Sequence, residues 1–188
     1  MLQKFFILIL ILITATAATF DESNRFQQVI DATDNPVVKK KLIEFEKKGI
    51  ERPVDTSKYD KEELIALART YVGAPHRMGG ITKKGIDCSG FMMVIHGEFG
   101  VKLPHSAHEQ ARYGTIVPVK ADLQKGDMVF FYASYNSANF ITHSGVYLGD
   151  GTFIHTSNSC GVVVSSMNDS YWGPLYLFGT RFSNQTAL

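Results

Sequence analysis

The order of hydrophobic patterns along the chain predicts an α+β fold, with N-terminal helices packed on an antiparallel β-sheet. Apolar residues at helical spacing are confined to the region before Gly114, whereas short runs rich in β-branched and aromatic residues fill the region after Gly126. Strands do not alternate with helices, which argues against βαβ units and a doubly wound parallel sheet. The length of 188 residues suits one domain with a small appendage, and no internal repeat divides it.

The first element is a leader. Lys4 precedes nine apolar residues, Phe5 to Ile13, and small residues follow from Thr14 to Ala18. A positive start, a short apolar stretch and an A-x-A-like end read as a secretory signal occupying residues 1–17. The run falls well short of the roughly 20 residues that span a bilayer, so the mature protein is expected to have no membrane span and to be exported, periplasmic or secreted. The leader carries one of the 19 basic residues and none of the 18 acidic ones, which leaves 18 of each. No electrostatic footprint for nucleic acid remains. With 45% hydrophobic and 12% aromatic residues the rest is globular, and a monomer is expected.

Residues 18–57 form a short helical extension. Phe26, Val29 and Ile30 cluster on one side of a first helix; in a second, Asn35 caps, Pro36 suits the first helical position, and Val38, Leu42 and Phe45 recur at helical spacing before Gly49. Residues 58–188 are the main domain. Asp60 and Glu63 form an acidic variant of the capping box ahead of Leu64, Leu67, Ala68, Tyr71 and Val72, and Gly73 and Pro75 stop that helix. A glycine-rich loop from Gly79 to Gly85 leads to Asp87 and Cys88, where a buried helix with Phe91, Met92 and Ile95 begins. Ser106 and Glu109 start a short helix closed by Gly114. Strands are predicted at Met128 to Tyr132, Thr142 to Leu148, Thr152 to Thr156, Val162 to Ser165 and Leu175 to Phe182.

Cys88 sits where a helix should start, and the partial positive charge and free N–H groups there favour a thiolate. Attack on an amide also needs a base and a group that orients it, for which His143 and His155 are candidates. If Gly149-Asp150-Gly151 is the loop of a hairpin, Leu148 faces Thr152, His143 faces Ser157 and His155 faces Gly145. The two histidines are then diagonal neighbours on one face, about 7 to 8 Å apart between backbone positions. A two-residue loop would instead put them on opposite faces.

Four segments carry a resemblance: Asp87-Cys88-Ser89-Gly90-Phe91, Gly126-Asp127-Met128-Val129-Phe130-Phe131, His143-Ser144-Gly145-Val146-Tyr147-Leu148-Gly149 and Phe153-Ile154-His155. In this order and spacing they resemble the motifs of the NlpC-type cell-wall cysteine peptidases, over about two-thirds of the chain from Tyr59 to Phe182. The resemblance implies a papain-like fold and cleavage of amide bonds in peptidoglycan stem peptides, typically between D-glutamate and the following diamino acid, with no metal or organic cofactor. It makes Cys88 the nucleophile, His143 the base and His155 the residue that orients His143. Asp87 and Ser89 become candidates for holding substrate. His76 stands where the family commonly has Tyr, and could still donate a hydrogen bond to substrate; His105 stands where Arg is common, so a group that titrates near neutral pH replaces a permanent charge. Both departures bear on substrate preference.

Other functions are open to the same residues. A related fold could act as an amidase or acyltransferase on another substrate, and a Cys88–Cys160 disulfide would make the chain a non-catalytic binding protein of the cell envelope. A zinc site among His76, His96, His105 and His108 is disfavoured, because neither H-E-x-x-H nor a cysteine pair at metal-ligand spacing occurs.

Overall fold

The structure, a computed structural model, describes residues 25–183. The leader lies outside the described residues. The chain divides into two compact units, Met1–Lys47 and Lys48–Leu188.

In the first unit, residues 25–31 are helical (α1) and Pro36–Glu46 form α2. Asn35 caps α2 through its side chain, which accepts from the N–H groups of Val37 and Val38, and Pro36 occupies the first turn, where its missing N–H costs nothing. The Phe26 and Phe45 rings stack at a tilt, 6.0 Å apart.

In the second unit, α3 (Lys61–Arg69) starts at Asp60, whose carboxylate accepts from the N–H groups of Glu62 and Glu63. The helix is shorter than its apolar spacing predicts. After Arg69 the backbone tightens into turns, Thr70 Oγ1 bonds the Leu67 carbonyl, and Gly73 leaves at φ +86° to donate to Val162. Tertiary pairing thus captures the residues that would have formed the last turn. A two-stranded hairpin, β1 (Ile81–Thr82) and β2 (Gly85–Ile86), then leads to α4 (Cys88–Gly97) and α5 (Ala107–Gln110).

Six strands form one antiparallel sheet: β3 (Thr115–Val117), β4 (Met128–Tyr132), β5 (Ile141–Gly149), β6 (Thr152–Ser157), β7 (Gly161–Ser166) and β8 (Tyr176–Arg181). Their spatial order is β3-β8-β4-β5-β6-β7. Helices first and an antiparallel sheet after is the predicted α+β arrangement. The central strand β4 reads Met-Val-Phe-Phe without alternation because it is buried on both faces. Phe130 meets Phe178 on one face, with ring centres 5.7 Å apart. On the other, Val129, Phe131 and Phe153 pack with Val117, Leu123 and Met167.

The β5–β6 hairpin decides which side chains share that second face. Val146 faces Ile154 and Tyr147 faces Phe153, but Gly149, not Leu148, faces Thr152. The turn is two residues long, Asp150 at φ +51° and Gly151 at +69°, as the tight hairpin turn with two left-handed centres requires. Leu148 is an extra residue in β5, a bulge that restores the parity a two-residue turn would have shifted. His143 and His155 therefore keep the same face, although by a turn-plus-bulge and not by a three-residue loop. Among the described residues no helix is long and apolar enough to cross a membrane.

Candidate active site

Asp87 organises the start of α4. Its Oδ1 accepts from the Gly90 N–H at 2.7 Å and the Ser89 hydroxyl at 2.9 Å, and its Oδ2 accepts from the Gly79 N–H at 2.7 Å. His105 Nε2 lies 3.0 and 2.9 Å from the two oxygens. Burial raises the Asp87 pKa, but the bonds from Gly90, His105 and Ser89 outweigh it and hold the carboxyl below its usual value. A short side chain that caps the helix also ties the glycine-rich loop to it.

Cys88, the first residue of α4, meets β5 where the sheet opens. Tyr147 exchanges backbone bonds on the β4 side with Asp127 and Gly126, so the alternate residues Val146, Ser144 and Thr142 turn their backbone groups to the β6 side. The β5–β6 ladder ends at Val146 and Ile154. The groups released beyond it face Cys88: its Sγ lies 3.9 Å from the Thr142 carbonyl, and the Ser144 N–H is near enough to act on the thiol's pKa.

Burial, and then the Asp87 charge, push the Cys88 thiol up to about 12; the N–H groups of Ser144, Ser89 and Cys88 act in the opposite sense. The helix start alone predicts a stabilised thiolate. The N–H groups are present, but desolvation and the capping carboxylate prevail, so Cys88 rests as a thiol.

His143 Nε2 lies 2.9 Å from His155 Nδ1, and His155 Nε2 lies 2.9 Å from Ser165 Oγ. Trp172 stacks on His143, with ring centres 4.6 Å apart and planes at 27°, while Phe153 stacks on His155 at 4.5 Å and 17°. Burial, then the neighbouring His155 and His76, set the His143 pKa well below the usual imidazole value; burial takes His155 down to about 4. Both rings are therefore neutral at pH 7, and one proton sits between them. With that proton on His143 Nε2, and the His155 proton on Nε2 toward Ser165, the lone pair of His143 Nδ1 is free to take a proton. Gly145, opposite His155 in this register, makes room for the pair: a Cβ there would lie 2.7 Å from the Ile154 carbonyl and 3.1 Å from His155 Cβ.

Two hollows flank these groups. One of about 340 Å³ lies over Cys88 and is walled by Met78, Asp87, Ser89 and His105; the other, of about 230 Å³, lies beside His143 and Trp172 and is walled by Ser157, Ser159 and Tyr171. A hollow of about 370 Å³ between Tyr59 and Arg181 holds neither a thiol nor a histidine. Ser89 thus lies at the first hollow with Asp87, while His76 is within electrostatic reach of His143.

Ser165, Trp172 and Gln110 complete the site. Ser165 is diagonal to His155 across β6–β7, where His155 faces Val163 and Phe153 faces Ser165; the diagonal-pair argument applied to this second hairpin would have found it. Gln110 donates to the Ser89 and Pro104 carbonyls, each at 2.8 Å, and accepts from Ser144 Oγ, which locks α4 to β5. Its burial among backbone carbonyls has no local sequence signal. Cys88 and Cys160 are both free thiols, so the disulfide-bonded alternative is not realised. His96, His105 and His108 have separate partners, the Met92 carbonyl, Asp87 and the Ile141 N–H.

Comparison with known proteins extends this picture. The "Probable endopeptidase NlpC homolog" of Haemophilus influenzae is 35% identical over 189 aligned residues, 96% of this chain and 99% of the relative. The Escherichia coli K12 protein "Murein DD-endopeptidase MepS/Murein LD-carboxypeptidase" is 40% identical over 117 residues, which cover 62% of this chain and 60% of that protein. Among solved structures, an NlpC/P60 family protein from Bacillus cereus superposes with a TM-score of 0.61 at 30% identity, over 68% of this chain and 41% of the Bacillus chain. The fold is thus the papain-like one shared by these structures. Residues 73–181, the stretch from the loop ahead of Cys88 to the last strand, match one family as a unit, and on that match the chain belongs to the NlpC/P60 family.

Proposed function

We propose that the chain is an exported cysteine peptidase that hydrolyses amide bonds in peptidoglycan stem peptides, with Cys88 as nucleophile, His143 as base and His155 as the residue that orients it. The observation that carries this is the polarised chain His143–His155–Ser165, together with a thiol at a helix start whose sulfur lies 3.9 Å from the carbonyl of Thr142, the residue before His143 in β5. Membership of the family and the activities by which the Haemophilus and Escherichia relatives are named, an endopeptidase and a murein endopeptidase, support the substrate.

The Cys88 proton passes to His143 Nδ1 as the sulfur attacks the amide carbonyl. The carbonyl electrons move onto oxygen, where the Cys88 N–H at the start of α4 stabilises the charge. The transient imidazolium donates to His155 and lies under the Trp172 ring, whose face favours a cation. Collapse expels the amine, which takes the proton from His143, and leaves a thioester. Water, deprotonated by His143, then releases the acid and restores the thiol.

Ser89 and His76 are the proposed substrate contacts. Asp87, whose oxygens already accept from four groups of its own chain, is proposed to act as a positioning residue for Cys88. The D-glutamyl to diamino acid bond is the proposed cleavage point, and the DD-endopeptidase activity in the Escherichia relative's name makes the peptide cross-link the competing one. Mass spectrometry of fragments released from purified peptidoglycan, with Cys88→Ala as control, tests the function and distinguishes the two bonds. Failure of the native protein to release any fragment would overturn it.

A further inference from the structure

Tyr135 stands between the two hollows of the cleft. Among the described residues it alone lines both, the one over Cys88 and the one beside His143, and the residue is 39% exposed. Its phenol is raised in pKa first by burial and then by the nearby Cys88 and Asp87, which puts the ring close to the nucleophile.

The backbone that carries Tyr135 is fixed. Ala133 leaves β4 at φ +50°, a left-handed conformation unfavourable for a residue with a Cβ, and turns the chain out over the cleft. Ser134 is then held three ways: its N–H donates to Thr142 Oγ1 at 3.0 Å, its hydroxyl pairs with the same oxygen at 2.8 Å, and its carbonyl accepts from the Tyr171 hydroxyl at 2.7 Å. Thr142 also supplies the carbonyl beside Cys88 Sγ, so a single residue fixes both the nucleophile and the root of Tyr135. A stiff two-torsion ring on an anchored root can act as a wall.

We propose that Tyr135 is a specificity-determining residue, a partition that narrows the cleft at the reacting bond and admits substrates with a small side chain next to it. The inference rests on the peptidase function above, because it takes the two hollows to hold the two sides of a cleaved peptide. An aromatic residue next to the bond would have to occupy the space of the Tyr135 ring. The ring makes the partition, and the hydroxyl contributes little to it.

The test uses electrophiles aimed at Cys88, so it does not depend on finding the natural substrate. The full chain, carrying Cys160→Ser, is treated with N-acetyl-alanyl and N-acetyl-phenylalanyl chloromethyl ketones, and modification of the Cys88-containing peptide is followed by mass spectrometry. The alanyl reagent is expected to react about 10-fold faster or more, in the range a packed pocket discriminates. Tyr135→Ala and Tyr135→Leu should bring the ratio to within about 3-fold and Tyr135→Phe should preserve it, the rate with iodoacetamide, which is small, serving to normalise the intrinsic Cys88 reactivity of each variant. An unchanged ratio in Tyr135→Ala and Tyr135→Leu, with iodoacetamide reactivity intact, overturns the partition. Failure of the peptidase function would show separately, as absence of peptidoglycan fragments from the native protein.

Discussion

His143 Nε2 lies 2.9 Å from His155 Nδ1, so the imidazole proposed as the base has a second neutral imidazole as its partner and not a carboxylate. A neutral acceptor fixes the tautomer and the ring plane but adds no opposite charge when the base takes its proton. In the proposed mechanism, stabilisation of the imidazolium then falls to the Trp172 face, and the main duty of His155 is geometric.

Loss of that geometry should therefore cost turnover and leave substrate affinity nearly unchanged. In His155→Ala, kcat on a stem-peptide substrate is expected to fall about 100-fold or more, within the range of a positioned proton-transfer group. Ser165→Ala, one bond further away, should lose less than about 10-fold, the equivalent of one ordinary hydrogen bond. Initial rates on one substrate decide this, and equal losses in the two variants would show that Ser165 acts directly.

The thiol titration should be high and sensitive to Asp87. With the Cys88 pKa pushed up to about 12 by burial and then by Asp87, alkylation by iodoacetamide should still be rising above pH 9, and the exposed Cys160 should react first. Asp87→Asn removes a negative charge, so the Cys88 profile should move to lower pH. A plateau near neutral pH in the native protein would indicate a resting thiolate.

Acid should destabilise the fold through His96. This imidazole is buried, donates Nδ1–H to the Met92 carbonyl and stacks on Tyr59, while its Nε2 has no partner. Burial lowers its pKa from 6.5 to about 4. A depressed folded-state value means that the unfolded chain binds the proton first on acidification. The stability due to neutral His96 is complete above about pH 6.5 and is lost as pH falls toward 4, by about 3 kcal/mol in all. His96→Phe, which retains the ring, should reduce the difference in Tm between pH 7 and pH 4.5; an unchanged difference would assign the acid sensitivity to other groups.

Gly145→Ala tests the register of the site. The added Cβ would meet the Ile154 carbonyl at 2.7 Å and the Phe153 ring at 2.8 Å, and backbone cannot yield as a flexible side chain can. A loss of about 1 to 3 kcal/mol is expected, with activity falling further than stability explains because β6 carries His155. Chemical denaturation beside activity at matched folded fraction separates the two effects.

The parts of the molecule written in local pattern were legible in the sequence. β4 occupies Met128–Tyr132 as its apolar run predicts, and Asn35, Asp60 and Ser106 cap the helices they precede. The shared face of His143 and His155 was legible because parity along β5 and β6 survives the bulge at Leu148, although the turn itself differs. The short strands β1, β2 and β3 were not legible: two or three residues have no period, and β3 exists because β8 pairs with it. Nor was the protonation of Cys88, since a helix start is visible in sequence but the depth at which β5 buries the sulfur is not.

The open end of the β5–β6 ladder makes the sheet a witness to the state of Cys88. The Ser144 N–H acts on a side-chain sulfur where a neighbouring strand would ordinarily supply a carbonyl. Any group that caps Cys88, whether an acyl intermediate or an alkyl label, alters the surroundings of that proton. The hydrogen-exchange rate and chemical shift of this single amide therefore report whether the enzyme is vacant or loaded.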